Sequence, residues 1–195
     1  MDLKQRLDTI VEKWNLLNHP FYQAWSEGRL PKEALQTYAR EYGAFIARIP
    51  DGWATLGDQE TSDEEVEHFE LWKGFAKTLD TEVSEAEIPQ VRGLVDHCTN
   101  CFGDRVPALG SLYAFEVQQP ATAQSKMDGL RDHYDLPGEI GDYFAEHLHN
   151  EHESEALVGW MGEMSQSDQD IAVGACESTC EGLWDALTGI YGEEC

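Results

Sequence analysis

The sequence predicts an all-α protein, a single domain spanning residues 1–195, and three observations carry that prediction. Apolar residues recur at i, i+3, i+4 and i+7 in one segment after another. No stretch keeps the apolar/polar alternation of a half-buried strand. Pro20, Gly28, Pro31, Pro50, Gly103, Pro120 and Pro137 punctuate the periodic segments at places where helices start and stop. A chain of 195 residues is also long enough to bury a sizeable core without disulfides.

Taken in order, residues 3–17 set Leu3, Leu7, Ile10, Val11, Trp14 and Leu17 on one helical face. His19-Pro20 opens a short second helix, with Pro20 in a tolerated first-turn position and Gly28 as its C-terminal residue. From Pro31, the stripe Ala34, Leu35, Tyr38, Ala39, Tyr42, Phe45 and Ile46 runs toward Pro50 and must be core. Residues 50–62 read as a connection with room for one helical turn. Ser62 then caps a helix, with Glu65 in the capping-box position. Residues 86–102 and 108–119 form two more helices. Residues 141–157, following Pro137, read as one helix, and residues 168–191 close the bundle.

Composition restricts the partners. Thirty-eight acidic against 13 basic residues give a formal charge of −25, which repels nucleic acid and anionic membrane alike. The same acid excess resembles proteins of salt-loving organisms, where high ionic strength screens self-repulsion. No apolar run approaches the roughly 18 residues that cross a bilayer, and MDLKQRLDTI lacks the apolar stretch of a signal peptide, so the expected location is cytoplasmic. Five cysteines, an odd number, read as reduced thiols; a four-thiolate zinc site across Cys98, Cys101, Cys176 and Cys180 is the weaker reading.

Three places carry metal-binding chemistry. The segment GDYFAEHLHNEHESEAL packs three histidines and five carboxylates into 17 residues. On a continuous helix His147 and Glu151 lie one above the other beside the apolar positions Tyr143, Phe144, Leu148 and Leu157, whereas His149 and His152 face elsewhere. Glu65 and His68 form an ExxH pair of the kind that serves di-iron sites in helical bundles, although a first-turn Glu also acts as a cap. Glu116 is a lone carboxylate within the apolar run LGSLYAFEV and needs a metal, a cation or a proton; Lys126 on the next helix is an alternative partner.

Set in order, these pieces resemble the heme-oxygenase-like di-metal oxidases, the group near TenA and PqqC, and most closely the CADD-type para-aminobenzoate synthases. The resemblance covers nearly the whole chain. It rests on HPFYQAWSEGRLPKEALQTYAREYGAFI at 19–46, HFELWKGFAKTLD at 68–80, LGSLYAFEVQQP at 109–120 with Lys126 after it, and DYFAEHLHNEHESEA at 142–156. It implies a seven-helix bundle with two iron or manganese ions, held by a Glu and a His of one helix, a lone Glu, and an HxxxDxxH row. Carried over, this implicates His68, Glu116 and His147, with Glu151 where the family has Asp, and Glu65, then Glu64, then Glu60 as the first Glu.

Position 154, where the row ends in His, is Ser154, so the second metal is expected to bind more weakly. The resemblance further implies that Tyr22 supplies the aminobenzoate ring and Lys126 its nitrogen. The aromatic residue before the lone Glu, often Tyr in the synthases, is Phe115 here. O2 and an external reductant would be the co-reactants. The substrate would be self-derived, or else an external small molecule such as an amino acid or fatty acid. A metal-free helical binding protein and a TenA-type hydrolase are the rival readings. Bundles of this kind often dimerise, so a homodimer is the expected assembly.

Overall fold

The computed structural model describes residues 1–134 and 141–194, so Pro137 lies outside the described residues. The elements are α1 (Leu3–Lys13), a 3-10 turn (Leu16–Asn18), α2 (Pro20–Ser26), α3 (Lys32–Ile46), α4 (Ile49–Leu56) and α5 (Gln59–Thr78). They continue with α6 (Pro89–Cys101), α7 (Arg105–Glu116), α8 (Gln119–His133), α9 (Asp142–Glu146), a second 3-10 turn (His147–His149), α10 (Glu151–Gly162) and α11 (Gln166–Glu194). No strand occurs among the described residues.

The apolar run around Glu116 forms the axis of the bundle. Every residue of α7 from Ala108 to Glu116 is buried. Helices α11, α10 and α4 pack against it, and α5 packs on α4 and α3. The closest approach is at Gly110, where a Cβ would stand 1.8 Å from the Ala172 carbonyl oxygen; only glycine lets α11 sit so near. The end of α7 thereby fixes Glu116 in the middle of the protein.

Two stretches differ from the sequence reading, and both shape the site. Residues 50–62 are no mere connection. Pro50 sits in the first turn of the two-turn helix α4, which ends on Gly57 at φ 80°, a left-handed cap that glycine adopts without strain. Asp58 then caps α5 by accepting from the Thr61 N–H. Helix α5 thus begins before Ser62, whose hydroxyl donates to the Pro50 carbonyl instead. Glu65 is consequently in the second turn and faces inward rather than capping.

The segment 141–157 is not one helix. The His147 Nδ1–H donates to the Tyr143 carbonyl at 2.7 Å, competing for the acceptor that the backbone N–H of residue 147 would use in a continuous helix. Asn150, a residue whose side chain competes with helical bonding, sits at the break and donates to the Glu153 carboxylate. Every side chain after it is rotated relative to the row expected from continuous helix.

Candidate metal centre

Helices α5, α7 and α10 and the His147 turn converge on one buried cluster. Glu65, 1% exposed, accepts at Oε1 from His68 Nδ1 at 2.9 Å and lies 3.9 Å from His147 Nε2. The two imidazoles meet edge to face at 4.7 Å between centroids. On the other side of Glu65 stand Glu116 and Glu153, both buried. Ligand atoms of Glu65, His68 and His147 all lie within 4.8 Å of one another, as do those of Glu65, Glu116 and Glu153. Glu65 belongs to both groups.

The protonation states follow from the surroundings. A carbonyl can only accept, so the His147 proton is on Nδ1 and Nε2 carries a bare lone pair. Burial pushes the His147 pKa down to about 4, keeping it neutral. Burial, the largest single influence, pulls the His68 pKa down, but the hydrogen bond to Glu65 together with the charges of Glu65, Glu153 and Glu146 makes the net shift upward. Burial, then the charges of Glu153 and Glu65, hold the Glu116 carboxyl well above the carboxylate range. Burial, then Glu65, raises Glu153 to about 7. Three carboxylates this close cannot all ionise without a cation, and the proximity of Glu153 favours the protonated form of Glu116.

These side chains fit a metal ion, and the test is the atoms they leave bare. Glu65 Oε2, Glu116 Oε2 and His147 Nε2 are buried with no hydrogen-bond partner, a state that costs about 1–3 kcal/mol per group. Glu116 Oε1 is held by the Trp53 indole at 3.3 Å, and His147 by the Tyr143 carbonyl. Such outer contacts orient the ligands of metal sites. Mixed carboxylate and imidazole donors suit iron.

A second buried group lies close by. Lys126 on α8 is 2% exposed, and its Nζ stands 3.4 Å from the Tyr38 hydroxyl, 4.7 Å from the Phe144 ring centroid and 5.6 Å from that of Tyr22. Burial lowers its pKa to about 7. It does not pair with Glu116, and no ion pair forms to it among the described residues. Burial raises Tyr22 to about 12, and its hydroxyl hydrogen-bonds Tyr38 and Thr122.

Of the residues singled out from sequence, the fold gathers Glu65, His68, Glu116 and His147 into one cluster and Tyr22 and Lys126 into the neighbouring one. Glu60 and Glu64 are exposed. Glu151 is exposed as well: the break at Asn150 turns it outward, where it lines a surface hollow of about 370 Å³ with Ser154 and Glu155. Glu153 stands in the cluster in its place. The sequence held a signal for it, because a helix beginning at 151 puts Glu153 four residues before the core residue Leu157, on the same face. The thiols form no metal-binding group among the described residues; Cys98 contacts Ser111 and Cys101 contacts His97.

A family model described as an iron-containing redox enzyme matches residues 25–179. The chain belongs to that family. As a member of the iron-containing redox enzymes it is an oxidoreductase, and the cluster above lies within the matched residues. It is 30% identical over 216 residues to a 4-aminobenzoate synthase of Chlamydia muridarum, covering 96% of this chain and 89% of the relative. It is 29% identical over 230 residues to a 4-aminobenzoate synthase of Nitrosomonas europaea, covering 98% and 92%. A solved domain from Shewanella denitrificans with a heme-oxygenase-like fold superimposes with a TM-score of 0.83 at 17% identity, over 99% of this chain and 93% of that one. The all-α, heme-oxygenase-like fold is therefore the one expected from sequence.

Proposed function

We propose that this chain is an O2-dependent non-heme iron or iron–manganese oxidase that makes 4-aminobenzoate from its own Tyr22, with Lys126 as the nitrogen source. The observation that carries the reading is the buried trio of Tyr22, Tyr38 and Lys126 packed beside a buried Glu/His cluster. The two relatives named 4-aminobenzoate synthase support it. Glu65, His68, Glu116 and His147 would hold the metal, whose contribution is to bind and activate O2 with electrons from an external reductant.

The chain's own groups do the rest. A lysine with a pKa near 7 carries a free lone pair in much of the population at neutral pH, which a nitrogen donor requires. Tyr22, raised to about 12, stays a phenol in the resting protein, and its hydroxyl has Tyr38 and Thr122 at hand when its proton must leave. Trp25, Phe144 and Phe21 wall the trio from water. No helix is long and apolar enough to cross a membrane among the described residues. The unpaired Cys98, Cys101, Cys176 and Cys180 among the described residues suit a reducing cytoplasm. We take a homodimer as the working assembly.

The test is isotopic. Protein carrying ring-labelled tyrosine, loaded anaerobically with Fe(II) and Mn(II) and given O2 and reductant, is expected to release labelled 4-aminobenzoate, at most one per chain. Tyr22→Phe fills the same space and is expected to release none while still binding metal. Product from that variant would exclude Tyr22 as the source. Absence of product from wild type, with O2 consumed once an amino acid or fatty acid is added, would move the assignment to an external substrate.

A further inference from the structure

We infer that Glu153, and not Glu151, completes a second metal position in this chain, and that the two positions share Glu65 but differ in donor set. One position offers two imidazoles and a carboxylate, from His68, His147 and Glu65. The other offers carboxylates alone, from Glu65, Glu116 and Glu153. This deepens the proposed function and rests on its reading of the cluster as a metal centre.

The helix break at residues 147–150 decides which carboxylate faces inward. Had residues 141–157 stayed helical, Glu151 would lie one turn above His147 and position 154 one turn further along the same face. The 3-10 turn at His147–His149, followed by Asn150, removes that register. Glu151 turns outward, and the Ser154 hydroxyl is spent on the Glu151 carbonyl at 3.0 Å. The first turn of α10 instead drives Glu153 inward, where Asn150 Nδ2 reaches both its oxygens at 3.3 Å. Serine at position 154, where the resembling family has a histidine ligand, is then no defect, because that position no longer faces the centre.

The neighbours of Glu153 say what it is there for. Glu65 Oε2 and Glu116 Oε2 are buried without a partner, so two further carboxylate oxygens wait beside it for a cation. The nearest buried amine, Lys126, is engaged with Tyr38 and the surrounding rings. No lysine or arginine forms an ion pair with Glu65, Glu116 or Glu153 among the described residues. Because Glu65 belongs to both groups, it would serve both ions.

Donor chemistry then sets an order. Imidazole nitrogen favours iron, whereas an oxygen-only position is the harder one and suits manganese. The imidazole position is expected to fill first with Fe(II), and the Glu116/Glu153 position to take Mn(II) more weakly.

Anaerobic equilibrium dialysis against Fe(II) alone, Mn(II) alone and both, followed by elemental analysis, tests this. Wild type is expected to hold two ions per chain when both metals are supplied. Glu153→Gln is expected to keep the Fe(II) and lose the second ion. His147→Ala is expected to lose Fe(II) preferentially, and Glu151→Gln to keep both ions. Should Glu153→Gln fail to fold, Glu153→Asp retains the charge on a shorter arm and is expected to weaken Mn(II) at least tenfold with Fe(II) uptake unchanged. Two ions retained in folded Glu153→Gln, unchanged Mn(II) affinity in Glu153→Asp, or loss of the second ion in Glu151→Gln would each overturn the assignment. Wild type that binds one ion per chain overturns it too, leaving the metal reading intact, whereas wild type that binds none overturns the metal reading itself.

Discussion

Metal-free Glu153→Gln protein is expected to be more stable than metal-free wild type at pH 8, and equally stable near pH 4. Burial and the charge of Glu65 raise the Glu153 pKa from 4.5 to about 7 in the folded chain. A carboxyl that binds its proton more tightly when folded contributes fully below its unfolded value, and that contribution is lost as pH rises through the folded value. The window is therefore roughly pH 4.5 to 7, and above it the ionised group destabilises the fold by roughly 3 kcal/mol. Glutamine has the shape without the charge. His147, whose pKa moves the opposite way without a contribution from Glu153, is present in both proteins and cancels in the difference. Chemical denaturation at several pH values measures it. With Fe(II) and Mn(II) present the order should reverse, because only wild type can turn the same carboxylate into a ligand. A flat difference across pH would mean that the fold does not disfavour the ionised form of Glu153.

Lys126→Met is the second large effect. It is expected to raise stability at pH 7 and to abolish 4-aminobenzoate formation while leaving metal content intact. Burial lowers the Lys126 pKa from 10.5 to about 7. The unfolded chain therefore binds the proton more tightly between those values, and wild-type stability climbs with pH across that window. The full penalty, on the order of 5 kcal/mol as an upper bound, is present at and below pH 7 and fades toward pH 10.5. Methionine keeps most of the apolar stem but gives up the contacts of Nζ with Tyr38 and Phe144, so the measured gain should be smaller than that bound. A less stable Lys126→Met would show that the amine is held by compensating interactions. Loss of metal in that variant would tie Lys126 to the ion cluster instead of to the tyrosines.

What could be read in the sequence, and what could not, divides along one physical line. Glu116 is legible because nothing else in its apolar run is charged, and a helix of that composition has to be central; the structure has it fully buried at the end of α7. His68 and His147 are legible because each lies one helical turn from aromatic core residues, Trp72 and Tyr143. Glu65 is ambiguous in the sequence between cap and interior, since the choice depends on where α5 begins. Asp58, four residues before Ser62, decides it by capping first. A periodic pattern assumes unbroken helix and so points to Glu151 where the structure turns Glu153 inward. Asn150 and the His147 side chain break that helix through hydrogen bonds that only the folded chain forms. The trio of Tyr22, Tyr38 and Lys126 joins α2, α3 and α8, and no local pattern announces that meeting.

The central proposal is that the buried Glu65, His68, Glu116, His147 cluster holds the metal of this oxidoreductase. Crystals grown from protein loaded anaerobically with Fe(II), measured on either side of the iron absorption edge, test that directly. The account predicts an anomalous peak enclosed by Glu65, His68 and His147, with their previously bare oxygen and nitrogen atoms turned toward it. Iron found instead on the exposed His149, His152 and Glu151, or no peak in the core of the bundle, would contradict it.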